Sequence, residues 1–137
     1  MDDVEHMLNF PAIFVSAILL WLLGALWFSP LLFARPWSAM VGRPAGEKPK
    51  GVAHGMVASF IGDLLVALVL AHIILWAHGT RIRFGILIGF IAWLGFIAAE
   101  TYPQRIYEGR PFGYFLIVGG YWLVGLLVVG GLLAFWR

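Results

Sequence analysis

Residues 52–76 read VAHGMVASFIGDLLVALVLAHIILW. The stretch holds one acid and no Lys or Arg. It is longer than the about 20 helical residues that cross a hydrocarbon core about 30 Å thick. Outward from it lie three runs of the same character, at about 11–28, 84–101 and 112–136. The 137-residue chain is 62% hydrophobic and only 12% charged, where a soluble domain carries roughly a quarter charged residues. So few charges cannot coat a water-facing surface. That excludes a soluble enzyme, a disordered tail and a nucleic-acid binder. The runs lack the polar/apolar alternation of a transmembrane barrel, and an open sheet cannot satisfy its backbone in lipid. The expected fold is all-α: a single domain, residues 1–137, forming a four-helix transmembrane bundle.

The breaks between runs have local causes. Pro11 suits a first helical turn. Ser29-Pro30 disfavours continued helix, and Leu31 to Trp37 reads as a segment lying in the interface. Gly42 to Gly51 is the main loop, His78-Gly79-Thr80 is a tight turn, and Tyr102-Pro103 is expected to close the third helix. Arg35, Arg43, Lys48, Lys50, Arg105 and Arg110 fall in the first and third loops, whereas Arg81, Arg83 and Arg137 fall at the opposite end. The positive-inside rule therefore predicts both termini outside. The acidic start, Asp2, Asp3 and Glu5, lacks the basic region of a cleavable signal, so the first helix is expected to be retained. Trp76 and Trp136 would mark the outer interface and Trp27, Trp37, Tyr102, Tyr107 and Tyr114 the inner one. Trp21, Trp93 and Trp122 lie deeper, where each indole N–H needs an acceptor.

Asp63 is the residue most informative about function. It falls near the middle of its helix, where an ionised carboxylate is costly unless it is paired or faces a polar cavity. Gly55, Ser59 and Gly62 form a small-residue stripe beside it, and small residues mark helix contacts in membranes. Asp63 with Ser59 is thus the candidate ion or proton site. A protonated Asp63 hydrogen-bonded across helices is the structural alternative. Arg35, Glu100, Arg105, Glu108 and Arg110 form a polar cluster at the inner rim, with Arg35 or Arg105 a possible partner for Glu100. Asp63 and Glu100 differ too much in depth to work as an acid/base pair. His54 and His72 are about 27 Å apart along one helix, too far to hold one metal. Cysteine is absent. Neither a metal nor a cofactor is expected.

Gly113, Gly120 and Gly131 share a face of the fourth helix, and Gly85 and Gly89 share one on the third. These faces permit close helix approach. Packing within the bundle accounts for most of them, and a homodimer is expected to use the remainder.

Several strings in order also resemble a known family. They are LGALWFSPLLF at 23–33, VLAH at 69–72, WLGF at 93–96, YEGRP at 107–111 and Gly120-Tyr121 followed by a Gly-rich run to Trp136. Together they resemble a bacterial membrane family catalogued as domain of unknown function 1761. The resemblance implies a small four-helix inner-membrane protein and brings no activity with it. His72 and the Glu108-Gly109-Arg110 turn lie in matching strings. The family's Asn near the start of the fourth helix is not found here, where residues 115–119 read FLIVG.

Function is accordingly expected in one of two classes. The first is a non-catalytic, self-packing membrane protein. The second is a dimeric proton- or cation-coupled transporter or channel working through Asp63. An enzyme is not expected, because polar groups gather at one depth only at the inner rim.

Overall fold

Asn9 starts the first helix. Its side-chain oxygen accepts from the Ala12 N–H at 3.1 Å, and Pro11 occupies the first turn, where its missing N–H would have had no helical partner. The computed structural model describes residues 8–43, 50–78 and 81–136. Four long helices result: α1 (Phe10–Trp27), α3 (Val52–Trp76), α4 (Ile82–Tyr107) and α5 (Phe112–Phe135), each long and apolar enough to cross a membrane. A short helix, α2 (Ala34–Val41), lies between α1 and α3. The described residues contain no strand. The all-α bundle with four candidate spans is therefore present.

Two boundaries differ from the sequence reading. The interfacial segment after Pro30 becomes helical at Ala34 and stops at Gly42, whose φ of 76° is a left-handed cap. The third long helix does not close at Pro103 but runs on to Tyr107. Proline removes one N–H, and here the carbonyl so freed belongs to exposed Ala99, where water can take its place. The same helix contains one wide π-helical segment, Trp93–Ala98. Of the turns read from sequence, Gly79-Thr80 and most of the main loop, 44–49, lie outside the described residues.

The start of α1 and the end of α5 meet at one end of the bundle, where the Asn9 side-chain amide donates to the Trp136 carbonyl at 3.3 Å. At the other end, Arg110 Nη1 donates to the Met40 carbonyl at 3.1 Å and ties the α4–α5 turn to α2.

The tightest packing is between α4 and α5, and glycine makes it possible. A Cβ on Gly85 would overlap the Gly130 carbonyl and come within 2.6 Å of Ala134 Cβ. One on Gly89 would overlap the Leu126 carbonyl. The backbones themselves are in contact, as small residues allow in a membrane. Gly113 meets Met40, Gly120 meets Trp27, and Gly131 meets Ile86. Gly85, Gly89, Gly113, Gly120 and Gly131 each therefore have a neighbour inside this chain. These five positions are taken up by packing within the chain.

Three indoles, two deep and one from the interface, act as interhelical ties. Trp93 Nε1 donates to the Gly119 carbonyl at 2.8 Å, Trp27 Nε1 to Ile117 at 2.9 Å and Trp21 Nε1 to Met56 at 3.1 Å. Trp122 donates to no acceptor among the described residues.

The buried apolar core sits towards the chain termini. Ala12, Ile13 and Leu20 of α1 meet Ala67, Leu70 and Ile74 of α3 and Leu126, Val129 and Leu133 of α5. The other half of the bundle is built differently.

Candidate functional site

From Asp63 towards the start of α3 the helices separate and leave an open groove of about 900 Å³. The second half of α1 supplies Trp21, Gly24, Ala25 and Phe28. The first half of α3 supplies Gly55, Met56, Ser59, Gly62, Asp63 and Val66, and α5 supplies Tyr121 and Trp122. Trp37, Arg43 and Lys50 stand at the mouth, beside the main loop. The size is that of a small-molecule site.

Asp63 forms the inner end. It lies on the core-facing stripe of α3 with Ala67, Leu70 and Ile74, at a spacing of four, three and four residues. It is 5% exposed, and among the described residues its carboxyl has no hydrogen bond and no ion pair. No interhelical hydrogen bond to it is present among the described residues. What surface the carboxyl retains faces the cavity it lines. From Val52 it lies about 16 Å along the helix, half the thickness of a hydrocarbon core.

Ser59 joins Asp63 on the wall, as the helical spacing implied, but Gly55 and Gly62 do not form a helix contact. A Cβ at either position would meet nothing within 4 Å. The small residues leave room for the cavity instead of admitting a neighbouring helix.

Tyr121 closes the α1–α5 side of this space. Its hydroxyl donates to the Leu20 carbonyl at 2.8 Å, and its ring packs on Phe28 and Trp122. A Cβ on Gly24 would come within 3.2 Å of that hydroxyl, so Gly24 is what lets the tyrosine lie across α1. Sequence reasoning did not single out Tyr121, Trp37, Arg43 or Lys50 for this site. The available signal was a tyrosine deep in an apolar run, whose hydroxyl needs an acceptor.

Of the inner-rim residues, Arg105, Glu108 and Arg110 are linked, and Glu100 lines a pocket with Glu108, whereas Arg35 joins none of these contacts. Glu108 pairs with Arg110 at 2.8 Å and accepts from the Gln104 amide at 3.0 Å, and these hydrogen bonds hold its carboxyl below the ordinary glutamate range. Arg105 stacks on Tyr102 and Phe112, at 4.5 and 5.2 Å from the ring centres. Glu100 borders a separate pocket of about 310 Å³ with Gln104, Glu108 and Tyr114. Glu108–Arg110 is the one ion pair among the described residues, so Glu100 pairs with neither Arg105 nor Arg35. Arg35 is exposed. His72 bonds back to Leu68 of its own helix at 2.8 Å, and His54 is exposed.

No curated protein and no solved structure matches this chain. The model of one family, described as protein of unknown function (DUF1761), matches residues 11–134. That match runs from the first turn of α1 to the last turn of α5, and the chain belongs to the DUF1761 family.

Proposed function

We propose that this membrane protein is a small carrier whose working group is Asp63, binding a proton or cation drawn from one face of the membrane. The reading rests on one observation. The bundle is hollow on one side of Asp63, as far as Arg43 and Lys50, and close-packed on the other, through Ala67, Leu70, Val129 and Leu133. A midplane carboxyl with access from one side is what alternating access requires of a coupling group. With both termini outside, as the cations favour, the hollow half faces the cytoplasm of a bacterial inner membrane. The protein then acts by binding and release rather than catalysis.

The absence of cysteine makes the test clean. In sealed vesicles of known sidedness, Ser59→Cys is expected to react with a membrane-impermeant maleimide from the cytoplasmic side only. Val129→Cys is expected to react from neither side. An unreactive Ser59→Cys would remove the water-filled access path. Reaction from the outer side alone would invert the topology.

The self-packing reading keeps one supporting observation, the exposed start of α3, where Gly55 and Ser59 have no neighbouring helix. A dimer joined there would cover the mouth of the cavity, and cross-linking between Gly55→Cys protomers would reveal it.

A further inference from the structure

A second cavity of about 380 Å³ lies across the α3–α5 seam from the Asp63 cavity. Its walls are apolar: Val69 and Ile73 from α3, Ala92, Phe96 and Ile97 from α4, and Leu126 from α5. Phe96 and Ile97 belong to the π segment of α4, so the widened turn forms one wall. Val69 and Phe96 are 56% and 74% exposed, and on helices that span a bilayer such apolar surface faces hydrocarbon. Two side chains, Val66 and Trp122, line both cavities. A single layer of side chains therefore separates two open grooves, the polar-ended one at Asp63 and the apolar one against α4. Trp122 is also the deep indole that no hydrogen bond ties among the described residues.

The two ends of the Asp63 chamber make opposite demands on a ligand. A buried carboxyl flanked by Trp21, Phe28, Tyr121 and Trp122 suits a cation, through ion pairing and attraction to the ring faces. The mouth carries Arg43 and Lys50, which slow the entry of a cation from water without closing it. A ligand that arrives dissolved in the hydrocarbon does not pass that mouth.

We infer that the protein takes up a long-chain amine from the bilayer, its alkyl chain lying in the apolar pocket against α4 and its nitrogen passing between Val66 and Trp122 to pair with Asp63. This rests on the reading of Asp63 as the working group. Proton bookkeeping closes either way. A neutral amine takes the proton from a protonated Asp63 oxygen, or an ammonium meets the carboxylate, and both routes end in the same ammonium–carboxylate pair.

Protection of Asp63 from a lipid-soluble carboxyl reagent tests this. The full-length protein in lipid nanodiscs is treated with dicyclohexylcarbodiimide, and modification of Asp63 and Glu100 is followed by peptide mass spectrometry, with Asp63→Asn identifying the first adduct. Dodecylamine is expected to slow Asp63 labelling at least tenfold while leaving Glu100 labelling unchanged. Butylamine, which lacks the chain, and dodecanoate, which lacks the cation, are expected to protect less than twofold. Val69→Phe and Ala92→Phe each fill the apolar pocket and should abolish dodecylamine protection without slowing labelling itself. Val69 is half-exposed, so its variant folds even where Ala92→Phe does not. Equal protection by butylamine, or protection that survives both pocket-filling variants, would overturn the lateral route and leave the one-sided Asp63 site standing. An Asp63 that the carbodiimide never modifies would also overturn the lateral route, whereas the Ser59→Cys result alone judges the site.

Discussion

Leucine at position 89 is expected to break the bundle. Gly89 lies against the Leu126 carbonyl, and one turn earlier Gly85 lies against the Gly130 carbonyl. Neither obstacle is a side chain that can rotate away. The two backbones must separate, and with them the Trp93–Gly119 hydrogen bond that ties α4 to α5. Overpacking where the surroundings can adjust costs about 1–3 kcal/mol. Here the obstacle is backbone along a seam, so a loss of at least about 3 kcal/mol is expected. Heating the protein in mild detergent and measuring the monodisperse fraction that survives reads this directly. Gly55→Leu is the control, since nothing lies within 4 Å of its Cβ position, and it should stay within about 0.5 kcal/mol of the parent. A Gly89→Leu protein that melts with the parent would mean that α4 and α5 do not pack through this face.

Asp63→Asn is expected to abolish coupled flux and to leave the fold intact. The amide keeps the shape of the carboxyl and removes its proton. Asp63 makes no hydrogen bond among the described residues, so the substitution has none to break. In liposomes with an imposed pH gradient, clamped electrically, the parent should dissipate the gradient at least tenfold faster than the variant, a ratio worth about 1.4 kcal/mol in the barrier. The melting profile should not change. Asp63→Leu sharpens the contrast. A structural acid at a helix contact would give up an interhelical hydrogen bond, on average about 0.6 kcal/mol in membranes. An unpaired buried acid gives up nothing and sheds a desolvation penalty, so the leucine variant should be as stable as the parent or more so. Flux that persists in Asp63→Asn would assign the carboxyl to structure.

The helices were legible because each is a continuous apolar run, bounded by Pro, Gly or charge, and length alone identifies such a run as a span. The course of α4 beyond Pro103 was not. A proline and a charged tail read as a stop in the sequence, although in the fold the freed carbonyl simply meets water. Periodicity placed Asp63 near Ser59 on one side of α3. It could not say whether the space beside Gly55 and Gly62 held a helix or none, because a stripe of small residues is the same string in both cases. The neighbours that distinguish the two, Tyr121 and Trp21, come from other helices. The glycines of α4 and α5 meet different neighbours, Gly85, Gly89 and Gly131 across the α4–α5 seam, Gly113 at Met40 and Gly120 at Trp27, and which neighbour each meets depends on which helices lie side by side.

The first helix is short. Its 18 residues give about 27 Å of rise, whereas α3 and α5, with 25 and 24 residues, give about 36–38 Å. Helices of unequal reach cannot all match one slab of lipid. The bilayer thins beside the short one or the long ones tilt, each at fractions of a kcal/mol per Å of mismatch. The second half of α1 is also the wall of the Asp63 cavity. Thinning, where it is the response, falls on the side of the Asp63 groove and brings the headgroup layer nearer the buried carboxyl than it would be beside α5. Acyl-chain length in the host membrane thereby becomes a setting of the site itself, fixed by where the chain turns at Ser29 and Pro30.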